Sequence, residues 1–178
     1  TNAHDEGLCK LCAPLYLNCS VADLNYIIVN LPLPKTGDAI AFSSNTAAAS
    51  PGMRVVEVTY NDTYDLRERV LWPGRPDLAA LPQDATGSHW AVVDSGGDLL
   101  SVVSVFISDD KSHAQFRKFA TEPGRQGQGH GSRLLTTVTA QLRDRGVRRL
   151  WCNARTEQEA FYERRGLRRS EGSAPFLK

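Results

Sequence analysis

The sequence predicts an α/β domain on a mixed, mainly antiparallel central sheet with helices on both faces. Three observations carry this reading. A β-branched segment, Arg54-Val55-Val56-Glu57-Val58-Thr59-Tyr60, runs into a helical pattern; two apolar runs flank the glycine turn Ser95-Gly96-Gly97-Asp98; and strand, loop, helix, strand and helix signals follow one another from Gln115 to Gly166. A chain of 178 residues with 41% hydrophobic content suffices for one domain with its own core.

Residues 1–52 carry few charges, the loop-like Leu31-Pro32-Leu33-Pro34 and a tract of small residues from Ser43 to Pro51. Such composition lacks the apolar spacing that buries a face, so they read as a mostly irregular extension. Tyr26-Ile27-Ile28-Val29 alone is long enough for a short strand. The domain proper is expected over 53–178. Its first strand follows Met53, Asn61-Asp62 offers helix-cap chemistry, and Tyr64, Leu66, Val70 and Leu71 continue a helix that Trp72-Pro73-Gly74 stops. The run from Asp77 to Ser88 is loop-like. His89 to Asp94 and Leu99 to Ile107 form the hairpin.

Gln115 to Thr121 is the fourth strand of this domain, with Phe116, Lys118 and Ala120 alternating against Arg117, Phe119 and Thr121. Pro123-Gly124 breaks it. A glycine-dense loop then opens into a helix from about Gly129 to Arg145, whose Leu134, Leu135, Val138 and Leu142 share one face. Gly146 supplies a left-handed cap, Val147 to Ala154 a fifth strand, Glu157 to Arg165 a second amphipathic helix ending at Gly166, and Leu167 to Lys178 a last strand or hairpin.

Charge is uneven. From Lys111 onward there are 15 Lys and Arg against 6 Asp and Glu, or +9; the first 110 residues hold 6 against 14, or −8. A basic half suits a polyanionic ligand, although arginines such as Arg143 and Arg148 also fit solvated helix and strand faces. No aromatic interleaving supports nucleic-acid binding. No run approaches a membrane span, and no basic segment with an apolar core reads as a signal peptide, so the expected compartment is cytoplasmic. Cys9-x-x-Cys12, with His4 and Cys19 nearby, has a ligand-like spacing, but no second pair completes a zinc pattern and no metal is expected.

A glycine-rich turn at a helix mouth is an anion site, because the first N–H groups lack partners and the helix dipole is positive there. Gly127, Gly129 and Gly131 would let a phosphate approach the backbone. Ser132-Arg133 after Gly131 excludes a Walker loop, and Ser132 in place of Gly or Ala excludes a dinucleotide fingerprint.

The stretch Gln126-Gly127-Gln128-Gly129-His130-Gly131 resembles the acetyl-CoA loop of the GNAT N-acetyltransferases, Gln/Arg-x-x-Gly-x-Gly/Ala. About thirty residues on, Phe161-Tyr162-Glu163-Arg164-Arg165-Gly166-Leu167 resembles the family's Phe-Tyr-x-x-x-Gly-Phe element. Leu66 to Gly74 is similar to the first helix of a small-molecule branch, where that helix and the next loop line the acceptor site. The resemblance implies a GNAT-type sheet closed by two strands after the last helix. Only Leu167 to Lys178 remains here, which is short for both and leaves an exposed edge at the fifth strand.

It also implies an acetyl-CoA-dependent N-acetyltransferase acting by direct attack of a primary amine, of a small molecule or peptide, on the thioester. A non-catalytic acyl-CoA-binding module is the alternative, and the reading admits a homodimer. Acetyl-CoA would meet Gln126, Gly127, Gln128, Gly129, His130, Gly131 and Ser132 at its pyrophosphate and the backbone of Phe119, Ala120 and Thr121 along its pantetheine arm. Asn153 would contact the arm or satisfy the strand end, and Arg155 would meet a phosphate or cap the next helix. Tyr162 matches the family's proton donor to the leaving sulfur, a task suited to a phenol with a reference pKa near ~10. No motif marks the general base among Glu57, Glu68, Asp109, His113 and Glu122. His130 is read as added charge beside phosphate or as solvent-facing filler.

Overall fold

The structure, a computed structural model, describes residues 24–31 and 52–170. They fall into a larger unit, 28–152, and a smaller one made of 24–27 and 153–170. Strand β1 (Leu24–Asn30) ends in the larger unit, followed by β2 (Arg54–Val58), α1 (Tyr60–Leu71), α2 (Pro76–Ala79), β3 (Ser88–Val93), β4 (Leu99–Ile107), β5 (His113–Thr121), α3 (His130–Asp144) and the first part of β6 (Arg149–Arg155). The sheet order there is β2-β3-β4-β5-β6-β1, antiparallel from β2 to β5 and parallel between β5 and β6.

Helix α1 starts two residues earlier than expected. Thr59 caps it, its Oγ1 accepting the Asp62 N–H at 3.4 Å while the Asp62 carboxylate accepts the Thr59 N–H at 2.8 Å. This reciprocal pair is worth about 1 kcal/mol, which the Asn61 side chain would not supply from inside the helix. Leu66 packs from α1 onto Ala91, Val93, Val102 and Ala120. On the opposite face α3 buries Leu134, Leu135, Val138 and Leu142, as their spacing predicts, and Arg145 beyond its end lies 5.5 Å from the Trp90 ring centre. Each such side chain contributes roughly 1.5–3 kcal/mol of burial.

The expected alternation along β5 fails at one place. Ser104 pairs with Arg117 but Val102 pairs with Ala120, so two residues of β5, Lys118 and Phe119, stand against Val103 alone. Lys118 takes the left-handed conformation, φ 53°, to accommodate this bulge. Arg117 and Ala120 therefore share the α1 face, which strict alternation would forbid.

The segment 77–88 also departs from a plain loop. It holds the end of α2 and a 3₁₀ turn at Asp84–Thr86, and Asp84 is 2% exposed. The open edge expected at the fifth strand is not found: β1, from the nominally irregular extension, lies beside β6, and the Leu31 N–H donates to the Arg148 carbonyl at 2.6 Å.

In the smaller unit the end of β6 leads through a 3₁₀ turn, Thr156–Gln158, to α4 (Glu159–Glu163) and β7 (Arg168–Arg169), which flanks β1. The helix expected over 157–165 is thus a five-residue helix behind a tighter turn. Gly166 closes it at φ 80°, the Leu167 N–H reaching the Tyr162 carbonyl at 3.2 Å. No helix among the described residues is long and apolar enough to cross a membrane. His4, Cys9, Cys12, Cys19 and residues 171–178 lie outside the described residues.

Candidate functional site

Where β5 ends, the Glu122 N–H returns to the Leu100 carbonyl at 3.0 Å and a 3₁₀ turn, Pro123–Arg125, redirects the chain. Two side-chain struts shape the loop that follows: Gln126 Nε2 donates to the Thr121 carbonyl at 3.1 Å and Gln128 Nε2 to that of Gly124 at 3.2 Å. Gly127 at φ 74° and Gly129 at φ 87° hold left-handed conformations, and Gly129 starts α3 with no side-chain cap. The N–H groups of Gly127, Gln128, Gly129, His130 and Gly131 have no acceptor among the described residues, and residues 126–129 are exposed. The N–H groups of the exposed Gly127, Gln128 and Gly129, followed by those of the buried His130 and Gly131, stand at the positive end of a 15-residue helix and fit a diphosphate.

His130 is not solvent-facing filler. It is 4% exposed, 3.4 Å from Gln128 Oε1 through Nε2. Burial first, then Arg125 and Arg133, holds its pKa below the usual histidine value. The same two arginines add positive potential at the loop.

The β5/β6 register pairs run from His113 to Gln115, opposite Arg149 to Trp151, and Phe119, Ala120 and Thr121 lie beyond them. Ala120 is buried against Leu66; its carbonyl accepts from Ser101 Oγ at 3.0 Å, and the Ser101 and Thr121 hydroxyls are 2.9 Å apart. The larger unit thus brings together the loop, His130, Ser132 and the end of β5. Asn153, Arg155 and Tyr162 belong to the smaller unit. Asn153 and Arg155 are exposed on β6, and Tyr162, 7% exposed, stands edge-on to Phe161 with ring centres 5.1 Å apart.

Among the residues considered as base, Glu122 is tied to Arg69 at 2.5 Å and Glu57, Asp109 and His113 are exposed. Of these, Glu122 lines a cleft of ≈ 410 Å³ between α1 and the hairpin turn, together with Asp62, Asp65, Asp94 and Asp98 and with Arg69 and Arg125.

Sequence reasoning missed a buried polar cluster on the α1 face. Arg67, 0% exposed, donates through Nη1 to Asp84 Oδ2 at 2.9 Å and to the Ala79 carbonyl at 3.3 Å. Its Nη2 reaches His89 Nδ1 at 3.1 Å and the Ser104 hydroxyl. His89 Nε2 is 2.9 Å from the Asp84 carbonyl, which assigns its proton to Nε2 and leaves Nδ1 to accept. An arginine between Asp65 and Arg69 on a helix reads as solvent-facing; only its phase with Thr63 and Leu66 hinted at burial.

The sequence matches the Acetyltransferase (GNAT) family over residues 58–167. A Bacillus subtilis (strain 168) protein described as the uncharacterized N-acetyltransferase YitI is 30% identical over 121 residues, covering 64% of this chain and 81% of its own. A solved structure from Lactobacillus plantarum, described as an N-acetyltransferase, superposes with a TM-score of 0.61 at 19% identity, over 71% of this chain and 94% of its own. One from Klebsiella pneumoniae subsp. pneumoniae, described as an acyl-CoA N-acyltransferase, gives 0.57 at 21% identity, over 70% and 89%. At these identities the two structures bear on the fold alone.

Proposed function

The chain belongs to the acetyltransferase (GNAT) family, and from that premise we propose that it transfers an acetyl group from acetyl-CoA to a primary amine of a small molecule or protein by direct attack on the thioester. Acyl-CoA-dependent acetyl transfer comes with the family; the choice of acetyl-CoA, the amine acceptor and the direct route are our reading. The observation that carries it is the row of five N–H groups from Gly127 to Gly131 at the mouth of α3, which have no acceptor among the described residues.

Those N–H groups would hold the pyrophosphate, with Ser132 at the next position of the first turn and Gln126 and Gln128 keeping the loop open through their bonds to Thr121 and Gly124. The end of β5, Phe119 to Thr121, lies past the β6 pairs and would offer its backbone to the pantetheine arm. Acetyl-CoA, when bound, supplies a thioester carbonyl of high group-transfer reactivity. An alkyl ammonium, with a pKa near ~10, has to shed a proton before its nitrogen can attack. Tyr162 would return a proton to the departing sulfur, and Asn153 and Arg155 would contact the donor from the end of β6. Two features favour the non-catalytic alternative, a missing last strand and an unassigned base; β1 beside β6 answers the first.

Calorimetric titration with acetyl-CoA tests this reading. Saturable binding is expected in the wild type and none in Gly129→Glu, whose carboxylate would stand among the phosphate donors. Equal binding by the two proteins removes the proposal. Tyr162→Phe is expected to lower turnover of an amine substrate more than donor affinity; equal losses assign Tyr162 to packing against Phe161.

A further inference from the structure

We propose that Arg117 selects the acceptor, and that the acceptor is an amine carrying a carboxylate. This rests on the acetyl-transfer reading above and specifies its second substrate. The β5 bulge is the starting point. Pairing opposite Ser104 puts Arg117 on the α1 face, and Lys118 also reaches that side, its Nζ 2.5 Å from the Leu78 carbonyl and 3.5 Å from the Trp72 ring centre. Arg67 is there already. Of the three cations, Arg67 forms an ion pair with Asp84.

Their partners are unequally distributed. Asp84 Oδ2 takes both Arg67 Nη1 and the Leu81 N–H, the latter at 2.8 Å. Lys118 is held by the Leu78 carbonyl and Trp72. No hydrogen bond or ion pair reaches the Arg117 side chain among the described residues. Yet it is partly buried, which pulls its pKa down from the usual arginine value against the opposing field of Asp84. Charged side chains in such surroundings are ordinarily paired. The guanidinium also keeps contact with solvent, since the buried unpartnered side-chain atoms among the described residues are Arg67 Nε, Asp84 Oδ1 and Arg165 Nε. It is an open, planar fork, the geometry that binds a carboxylate through two parallel N–H···O bonds.

Position supports the assignment. Arg117 precedes Phe119 by two residues, with the bulge at Lys118 between them. A carboxylate on its fork would leave room for a short spacer between that group and an amine directed at the donor's reacting carbon. The acidic cleft beside Glu122 offers the opposite selection, for a polycationic amine, so the two outcomes separate cleanly.

The test compares initial acetylation rates on amino acids, each paired with its carboxamide, and on spermidine, for the wild type, Arg117→Lys and Arg117→Gln. Acetyl-CoA affinity is followed by calorimetry in all three. Wild-type kcat/KM is expected to favour acid over amide by on the order of 10- to 100-fold, the worth of a charge-assisted pair, chiefly through KM. The ratio should fall toward one in Arg117→Gln and partway in Arg117→Lys, which keeps charge but loses the fork. Donor affinity close to wild type in both variants certifies their folding. A wild-type ratio near one, a ratio that survives both substitutions, or a preference for spermidine overturns the inference. So does acetyl-CoA binding with no acid acetylated, which leaves the donor reading standing; absence of acetyl-CoA binding overturns that reading and this inference together.

Discussion

Replacing Gly129 by alanine probes the proposed acetyl-CoA loop through its backbone. Gly129 sits at φ 87°, and a Cβ built on it meets no atom within 4 Å. The substitution therefore brings no clash, only the cost of a left-handed residue, about 1–2 kcal/mol. For a domain of this size that lowers Tm by roughly 2–8 °C. Gly124, three residues after Thr121, is the matched control: its Cβ also meets nothing, and its φ is ordinary. Gly124→Ala should leave stability unchanged or raise it by about 0.4–1 kcal/mol through the unfolded state. If the chain relieves the strain at position 129 by moving φ to negative values, the N–H groups of Gly129 and His130 rotate away from the ligand. Acetyl-CoA affinity should then fall about tenfold or more, each tenfold being about 1.4 kcal/mol. Thermal denaturation and calorimetric titration of the two alanine variants settle the matter. Should Gly129→Ala behave like Gly124→Ala in both assays, the left-handed turn is not what presents the donors.

Three further outcomes are expected. Asp84→Ala strands the fully buried Arg67 and should cost about 3–5 kcal/mol in urea denaturation, with recovery when Arg67→Met is added; a loss under about 1 kcal/mol would mean the pair is solvated. His130, held mostly neutral by burial and two arginines, contributes stability that is complete above its unfolded pKa of about 6.5 and declines as pH falls below it. The Tm of His130→Gln should accordingly vary less than that of the wild type between about pH 7.5 and pH 5, and parallel curves would contradict this. Removing residues 1–31 deletes the strand beside β6 and the buried Ile27 and Leu31, each worth roughly 1.5–3 kcal/mol, so a lower Tm and association in sedimentation are expected; an unchanged, monomeric protein would show β1 to be dispensable.

Much of the larger unit was legible in the chain. The hairpin around Ser95-Gly96-Gly97-Asp98, the helix carrying Leu134, Leu135, Val138 and Leu142, and the loop from Gln126 to Gly131 stand where local signals put them. Those signals are periodicity and backbone freedom, properties of a few consecutive residues. Boundaries moved where a longer-reaching bond decided them, as when Asp62 reached back to Thr59 and took the cap from Asn61. Asp84 and Arg67 escaped detection because each is buried only through the other, and neither neighbourhood looks apolar by itself.

The sequence by itself determined the glycine loop before α3, since glycines at 127 and 129 are what allow φ values of 74° and 87° and leave the helix mouth without a side-chain cap. Tertiary structure decided which faces the charges occupy. A bulge opposite Val103 turned Arg117 and Lys118 toward α1, and a strand from the extension paired beside β6. Both depend on register between segments distant in the chain. A strand's own alternation states which residues share a face, but an inserted residue, visible only against its partner strand, resets that rule.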